Sequence, residues 1–127
     1  MLSLPVPEYL DLLGKPYERG GRGPDVYDCY GLVKELFERA GNGVPDFDAP
    51  GSLEEIESLI SDKSRKWRRV PIGTVGALLT FRVEGYGAHV GFMLPRDRFI
   101  HAWEHTGVTT ERLTGGLFTP LASYTYG

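Results

Sequence analysis

The stretch Gly20-Gly21-Arg22-Gly23-Pro24-Asp25-Val26-Tyr27-Asp28-Cys29-Tyr30-Gly31-Leu32-Val33 decides the fold. It reads as a glycine-rich loop running into a helix over about 28–40. Asp28 suits the N-cap, because its carboxylate accepts from the free N–H groups of a first turn. Leu32, Val33, Leu36 and Phe37 repeat at helical spacing, while Lys34, Glu35, Glu38 and Arg39 fall mainly on the other side. Gly41 and Gly43 end the run. Cys29, the one cysteine in the chain, therefore opens the helix. The macrodipole there favours a thiolate, the reactive form of cysteine. A single cysteine elsewhere would read as a small buried hydrophobe. The capping Asp and the flexible loop before it turn attention to what the downstream chain brings to meet it.

Working outward toward the N-terminus, Pro7 to Gly14 reads as a short helix with Pro near its start and Gly at its end. Lys15-Pro16-Tyr17 leads into the loop, with Tyr17 packing beneath it. Downstream, Ser52-Leu53-Glu54-Glu55 is a capping-box pattern opening a helix over about 52–61, with Leu53, Ile56 and Ile60 on one face. Lys63 to Arg69, a basic cluster containing Trp67, reads as a solvated loop. After Pro71 the period becomes strand-like. Strands are expected over about 75–83, 88–94, 98–103 and 107–113, with Pro95-Arg96-Asp97 turning the central hairpin. Helices followed by antiparallel strands argue for an α+β domain occupying residues 1–127.

A hairpin turn centred on Pro95 pairs residues whose numbers sum to 190. His89 and His101 satisfy that sum and would be directly opposed, with Cβ atoms about 4.5–5.5 Å apart. A one-residue slip would send them to opposite faces. One cysteine and two histidines admit three readings: a thiol-hydrolase triad, a metal site of Cys29, His89 and His101, or coincidence in an ordinary sheet. A zinc site usually takes a fourth protein ligand or has a reason for an open position. A triad takes a cysteine at a helix start, a histidine base and a group orienting that histidine. The triad fits better. His105 follows the strand end and reads as exposed.

Composition limits the alternatives. The chain has 127 residues, 41% hydrophobic and 24% charged, ordinary for a globular domain with a modest core. Its net charge of −3 offers no basic field for nucleic acid. One cysteine excludes an internal disulfide framework. No apolar run approaches the ~20 residues of a membrane span. The N-terminus shows no secretory signal, so a cytoplasmic origin is expected.

Four segments carry a family resemblance: Gly14-Lys15-Pro16-Tyr17 with Gly20-Gly21, Asp28-Cys29-Tyr30-Gly31-Leu32-Val33, Ala88-His89-Val90-Gly91-Phe92, and Phe99-Ile100-His101-Ala102. Together they resemble the NlpC/P60 cysteine peptidases, papain-like cell-wall hydrolases, over residues 12 to 113. The resemblance implies an NlpC/P60 fold with N-terminal helices on an antiparallel sheet. It also implies a Cys29–His89–His101 triad, with Tyr17 near the thiol and the oxyanion. The implied substrate is the stem peptide of peptidoglycan, with no metal or organic cofactor. Two departures stand out. Tyr30 replaces the usual serine after the nucleophile, bringing a bulky ring beside Asp28 and Cys29 at the expected substrate pocket. Pro71 to Leu79 only loosely follows the usual strand. Asp28-Cys29-Tyr30-Gly31-Leu32 resembles the subset found in phage tail-tip assembly proteins, implying tail proteins as partners and a virion as destination. An inactive tail module of the same fold, or thiol acyl transfer to another substrate, are the alternatives.

Overall fold

The computed structural model describes residues 4–48, 52–62, 66–83 and 87–127. The glycine loop leads into α1 (Cys29–Arg39), and α2 (Leu53–Ser61) follows. Six strands come next: β1 (Trp67–Val70), β2 (Leu78–Val83), β3 (Gly87–Leu94), β4 (Arg98–Trp103), β5 (Gly107–Arg112) and β6 (Thr119–Tyr126). They form one antiparallel sheet in the order β1-β6-β2-β3-β4-β5. This is the expected α+β architecture.

The first helix is anchored at both ends. Asp28 accepts from the Gly31 N–H at 2.7 Å. At the other end Gly41 takes φ +82°. Its N–H donates to Glu38 O and the Asn42 N–H to Phe37 O, the paired bonds of a Schellman stop. Leu32, Val33, Leu36 and Phe37 are all buried. They pack with Val90, Phe92 and Leu94 of β3 and Ile100 and Ala102 of β4. The opposite sheet face carries a second cluster of Leu79, Phe81, Met93, Phe99, Leu113 and Phe118. Strands β2, β3 and β4 thus contribute alternate residues to two apolar layers. The second helix is capped by Ser52 Oγ, which accepts from the Glu55 N–H.

Several expectations need correction. The helix expected over Pro7–Gly14 is one 3-10 turn, Leu10–Leu12. The strand expected from Val75 begins at Leu78, after Gly76 turns the chain at φ +86°. Within the basic cluster, Trp67–Val70 is an edge strand. Trp67 is buried edge-on against Phe37 and Tyr126, while Arg68 and Arg69 stay exposed. Alternation turns Arg68 to the other face, whereas Arg69 shares the face of Trp67 and is exposed on the edge strand. Lys63 to Arg65 lie outside the described residues. Finally, β6 was not expected. It threads between β1 and β2, and its register against β2 shifts where Pro120 meets Phe81. Such an irregularity is where a strand tolerates proline.

Candidate active site

Cys29 is the first residue of α1 and is 6% exposed. The loop before it is held by a set of bonds converging on Asp28. Asp28 accepts from the Gly20 and Gly31 N–H groups and from Arg22 Nη1 at 2.8 Å. Arg22 also donates to Asp46, Gly21 O and Phe47 O. It therefore ties the loop, the helix cap and the 45–47 connection together. Gly31 is required at this junction, because a Cβ there would lie 2.0 Å from Gly21 O. Asp28 acts on the helix start and the loop, as its place at the N-cap suggested.

Tyr30 is fully buried. Its ring stacks on Phe47 at 3.9 Å and its hydroxyl donates to Pro45 O. The expected bulky group at a substrate pocket is instead a wedge between α1 and the following connection. Tyr17 is half-buried and bridges to Tyr27. Burial first, then the charges of Cys29 and Asp28, push its phenol up.

The hairpin register differs from expectation. The β3–β4 pairs Phe92↔Ile100, Met93↔Phe99 and Leu94↔Arg98 sum to 192, so the turn centres on Arg96. His89 and His101 are therefore diagonal rather than opposed. A shift of two preserves the face, and the rings still meet. His89 Nε2 lies 2.7 Å from His101 Nδ1. The β3–β4 ladder runs from Leu94↔Arg98 to Phe92↔Ile100, and the contact of the two rings lies beyond it. Both histidines are buried, among Phe81, Phe99, Trp103 and Phe118.

A third member was missed. Glu111 on β5 accepts or shares a proton at 2.7 Å from His101 Nε2. The signal was available. Continuing the β4–β5 register puts Thr109 opposite His101 and Glu111 opposite Phe99. Glu111 thus shares the face of His101, one diagonal step away. Arg22 was also missed as a partner of Asp28, although it stands within the quoted loop. His105 is exposed and lies near Glu104.

Cys29 belongs to the cluster on the helix side of the sheet, whereas His89 and His101 lie among the rings of the opposite face. The Val90 N–H, one residue past His89, faces the sulfur, as do the N–H groups of Tyr30 and Cys29 itself. Among the described residues, no hydrogen bond joins the sulfur to His89. Burial first, and the charge of Asp28 second, push the thiol up to about 12. Burial thus works against the thiolate that a helix start favours. Burial, with His101 adding to it, pulls His89 down to about 3. Burial also lowers His101, opposed by Glu111. At rest the thiol and both imidazoles are neutral. Both ring nitrogens of His101 and Nε2 of His89 are engaged by one another and by Glu111, which leaves a metal little to bind.

A cysteine opens a helix that packs on an antiparallel sheet, and a bonded histidine pair sits on adjacent strands. The chain belongs to the NlpC/P60 family, whose model matches residues 14–123. It is similar to murein DD-endopeptidase MepS/murein LD-carboxypeptidase of Escherichia coli strain K12, at 31% identity over 102 residues, covering 80% of this chain and 49% of that protein. It is also similar to the probable endopeptidase p60 of Listeria monocytogenes serovar 1/2a, at 30% identity, covering 81% of this chain and 19% of that protein. The chain thus spans half or less of these relatives. The solved NlpC/p60 domain of peptidoglycan hydrolase SagA superposes with a TM-score of 0.61 at 20% identity, covering 91% of this chain and 90% of that one. An NlpC/P60 family protein from Bacillus cereus gives 0.63 at 20% identity, covering 97% and 41%. These two likenesses concern the fold.

Proposed function

We propose that this protein hydrolyses an amide bond in peptidoglycan stem peptides through Cys29. The observation that carries the reading is the His89–His101 bond. It occupies Nε2 of His89 and leaves Nδ1 for a thiol, on the residue preceding Val90, whose N–H faces the sulfur. The names of the endopeptidase relatives support the substrate class.

In this mechanism the thiol contact closes when substrate binds, as catalytic hydrogen bonds commonly do. Sγ attacks the carbonyl carbon while its proton passes to His89 Nδ1. The Cys29 backbone N–H, with Tyr17 beside it, stabilises the oxyanion. The C–N bond breaks, and His89 returns the proton to the leaving amine. Water then attacks the thioester and gives its proton to His89. The C–S bond breaks, and Sγ recovers the proton. His101 orients the His89 ring throughout. Digestion of purified peptidoglycan with mass spectrometry of the fragments tests this. Released stem-peptide fragments identify the bond, whereas binding without turnover favours a module that keeps the fold alone.

The finer setting is a hydrolase made in the cytoplasm and carried in a phage tail. It is supported by Asp28-Cys29-Tyr30-Gly31-Leu32. Co-purification with tail particles tests it, and absence from them would contradict it.

A further inference from the structure

We propose that Glu111 is a positioning residue that sets the direction of the histidine chain, holding both rings as Nε2–H tautomers so that His89 Nδ1 carries the lone pair. This deepens the hydrolase reading and rests on it for what the lone pair does. The tautomers themselves follow from the bonded geometry, with an ionised carboxylate and neutral rings.

His89, His101 and Glu111 step diagonally across β3, β4 and β5 on one face, with successive separations of 2.7 Å and 2.7 Å. An ionised carboxylate only accepts hydrogen bonds. His101 Nε2 must therefore carry a proton. A neutral imidazole has one N–H, so His101 Nδ1 is then a lone pair. At 2.7 Å from that lone pair, His89 Nε2 must donate. The remaining nitrogen of His89, Nδ1, is left unprotonated. The reversed chain would have His101 Nδ1 donate to His89 Nε2. It would set a ring lone pair against the Glu111 carboxylate, two acceptors at hydrogen-bonding distance. It would also put the His89 proton on Nδ1, where a base needs none. His101 is fully buried among Phe99, Trp103 and Phe118, so this penalty is felt in surroundings of low dielectric. Without the carboxylate, His101 is at liberty to hold its proton on either nitrogen, and the direction is lost.

Glu111 stands on the edge strand with its side chain about one-third exposed, so it can be changed without opening the core. The test is a long-range 1H–15N correlation spectrum of the whole protein with 15N-labelled histidine, free of substrate. His105→Ala identifies the third ring. The expected parent pattern is Nε2–H for both His89 and His101. In Glu111→Gln and Glu111→Ala, mixed or reversed tautomers are expected, with circular dichroism unchanged. On peptidoglycan fragments kcat should fall on the order of 10²–10⁴-fold, the scale of a wrong-tautomer base, while KM moves little. An Nδ1–H tautomer at His89 in the parent overturns the proposal, whether or not either variant folds. Unaltered tautomers in a folded variant overturn the role of Glu111. A parent that shows the expected tautomers but cuts no peptidoglycan would sink the hydrolase reading and leave the chain direction standing.

Discussion

At the residue scale, the environment of Cys29 has a direct chemical consequence. A thiol pushed up to about 12 and 6% exposed should react slowly with iodoacetamide at pH 7, more slowly than a free cysteine of pKa about 8.5. Its rate should keep rising through pH 9 to 11, and denaturation should restore ordinary reactivity. Rapid alkylation of the folded protein at pH 6–7 would instead reveal a resting thiolate. His105, exposed beside Glu104, should be dispensable. His105→Ala is expected to hydrolyse within a few-fold of the parent, and a loss matching His89→Ala would show that the wrong histidine had been assigned to the chain. The place of Cys29 at a helix start and the shared face of His89 and His101 were legible because helix capping and strand parity are local properties of the sequence. Parity survived an error of two in the hairpin sum, which changed directly opposed histidines into diagonal ones. Glu111 was not read, because its place depends on compounding two hairpin registers. The burial of Cys29 was not legible, because it is decided by tertiary packing, whereas the helix start is visible in sequence.

At the scale of elements, the junction of loop and helix is the most constrained piece. Gly31→Ala would drive a Cβ to within 2.0 Å of Gly21 O, so the loop or the first turn must move. Overpacking of this kind costs about 1–3 kcal/mol, occasionally more. Arg22→Ala removes the side chain that pairs with the buried Asp28, costing about 1–3 kcal/mol for a lost charged hydrogen bond. Urea denaturation should show both losses, and a midpoint unchanged in either variant would mean that the junction is not held as described. Helix α1 was legible to within a residue because its pattern, cap and stop agree. The strands were legible where apolar residues alternate, as in β3 and β4. They were not in β1, where arginines mask a single buried Trp67, or in β6, where Pro120 marks an irregular register.

At the scale of the whole molecule, two buried neutral histidines link stability to acid. Both have folded-state pKa values below the ordinary histidine value. The unfolded chain therefore binds more protons below about pH 6.5, and stability must fall as pH falls. The loss approaches about 1.4 kcal/mol per pH unit for each histidine between that value and its folded pKa, which for His89 is about 3. Urea midpoints measured from pH 7 to pH 4.5 should decline, and His89→Gln should flatten the decline. A parent midpoint that is constant or rises toward acid would mean that the rings are charged in the folded state.

The central claim, that Cys29 is a nucleophile served by His89, is tested most directly by peptidoglycan fragment release from a set of folded variants. Cys29→Ala should release nothing, because the acyl intermediate cannot form, and His89→Ala should be nearly as poor. His101→Asn should keep part of the rate, since its amide can still accept from the His89 N–H, and His101→Ala should fall between that variant and His89→Ala. A Cys29/His89 double variant should be little worse than Cys29→Ala, because members of one catalytic unit are not additive. Fragment release by folded Cys29→Ala at the parent rate would contradict the account.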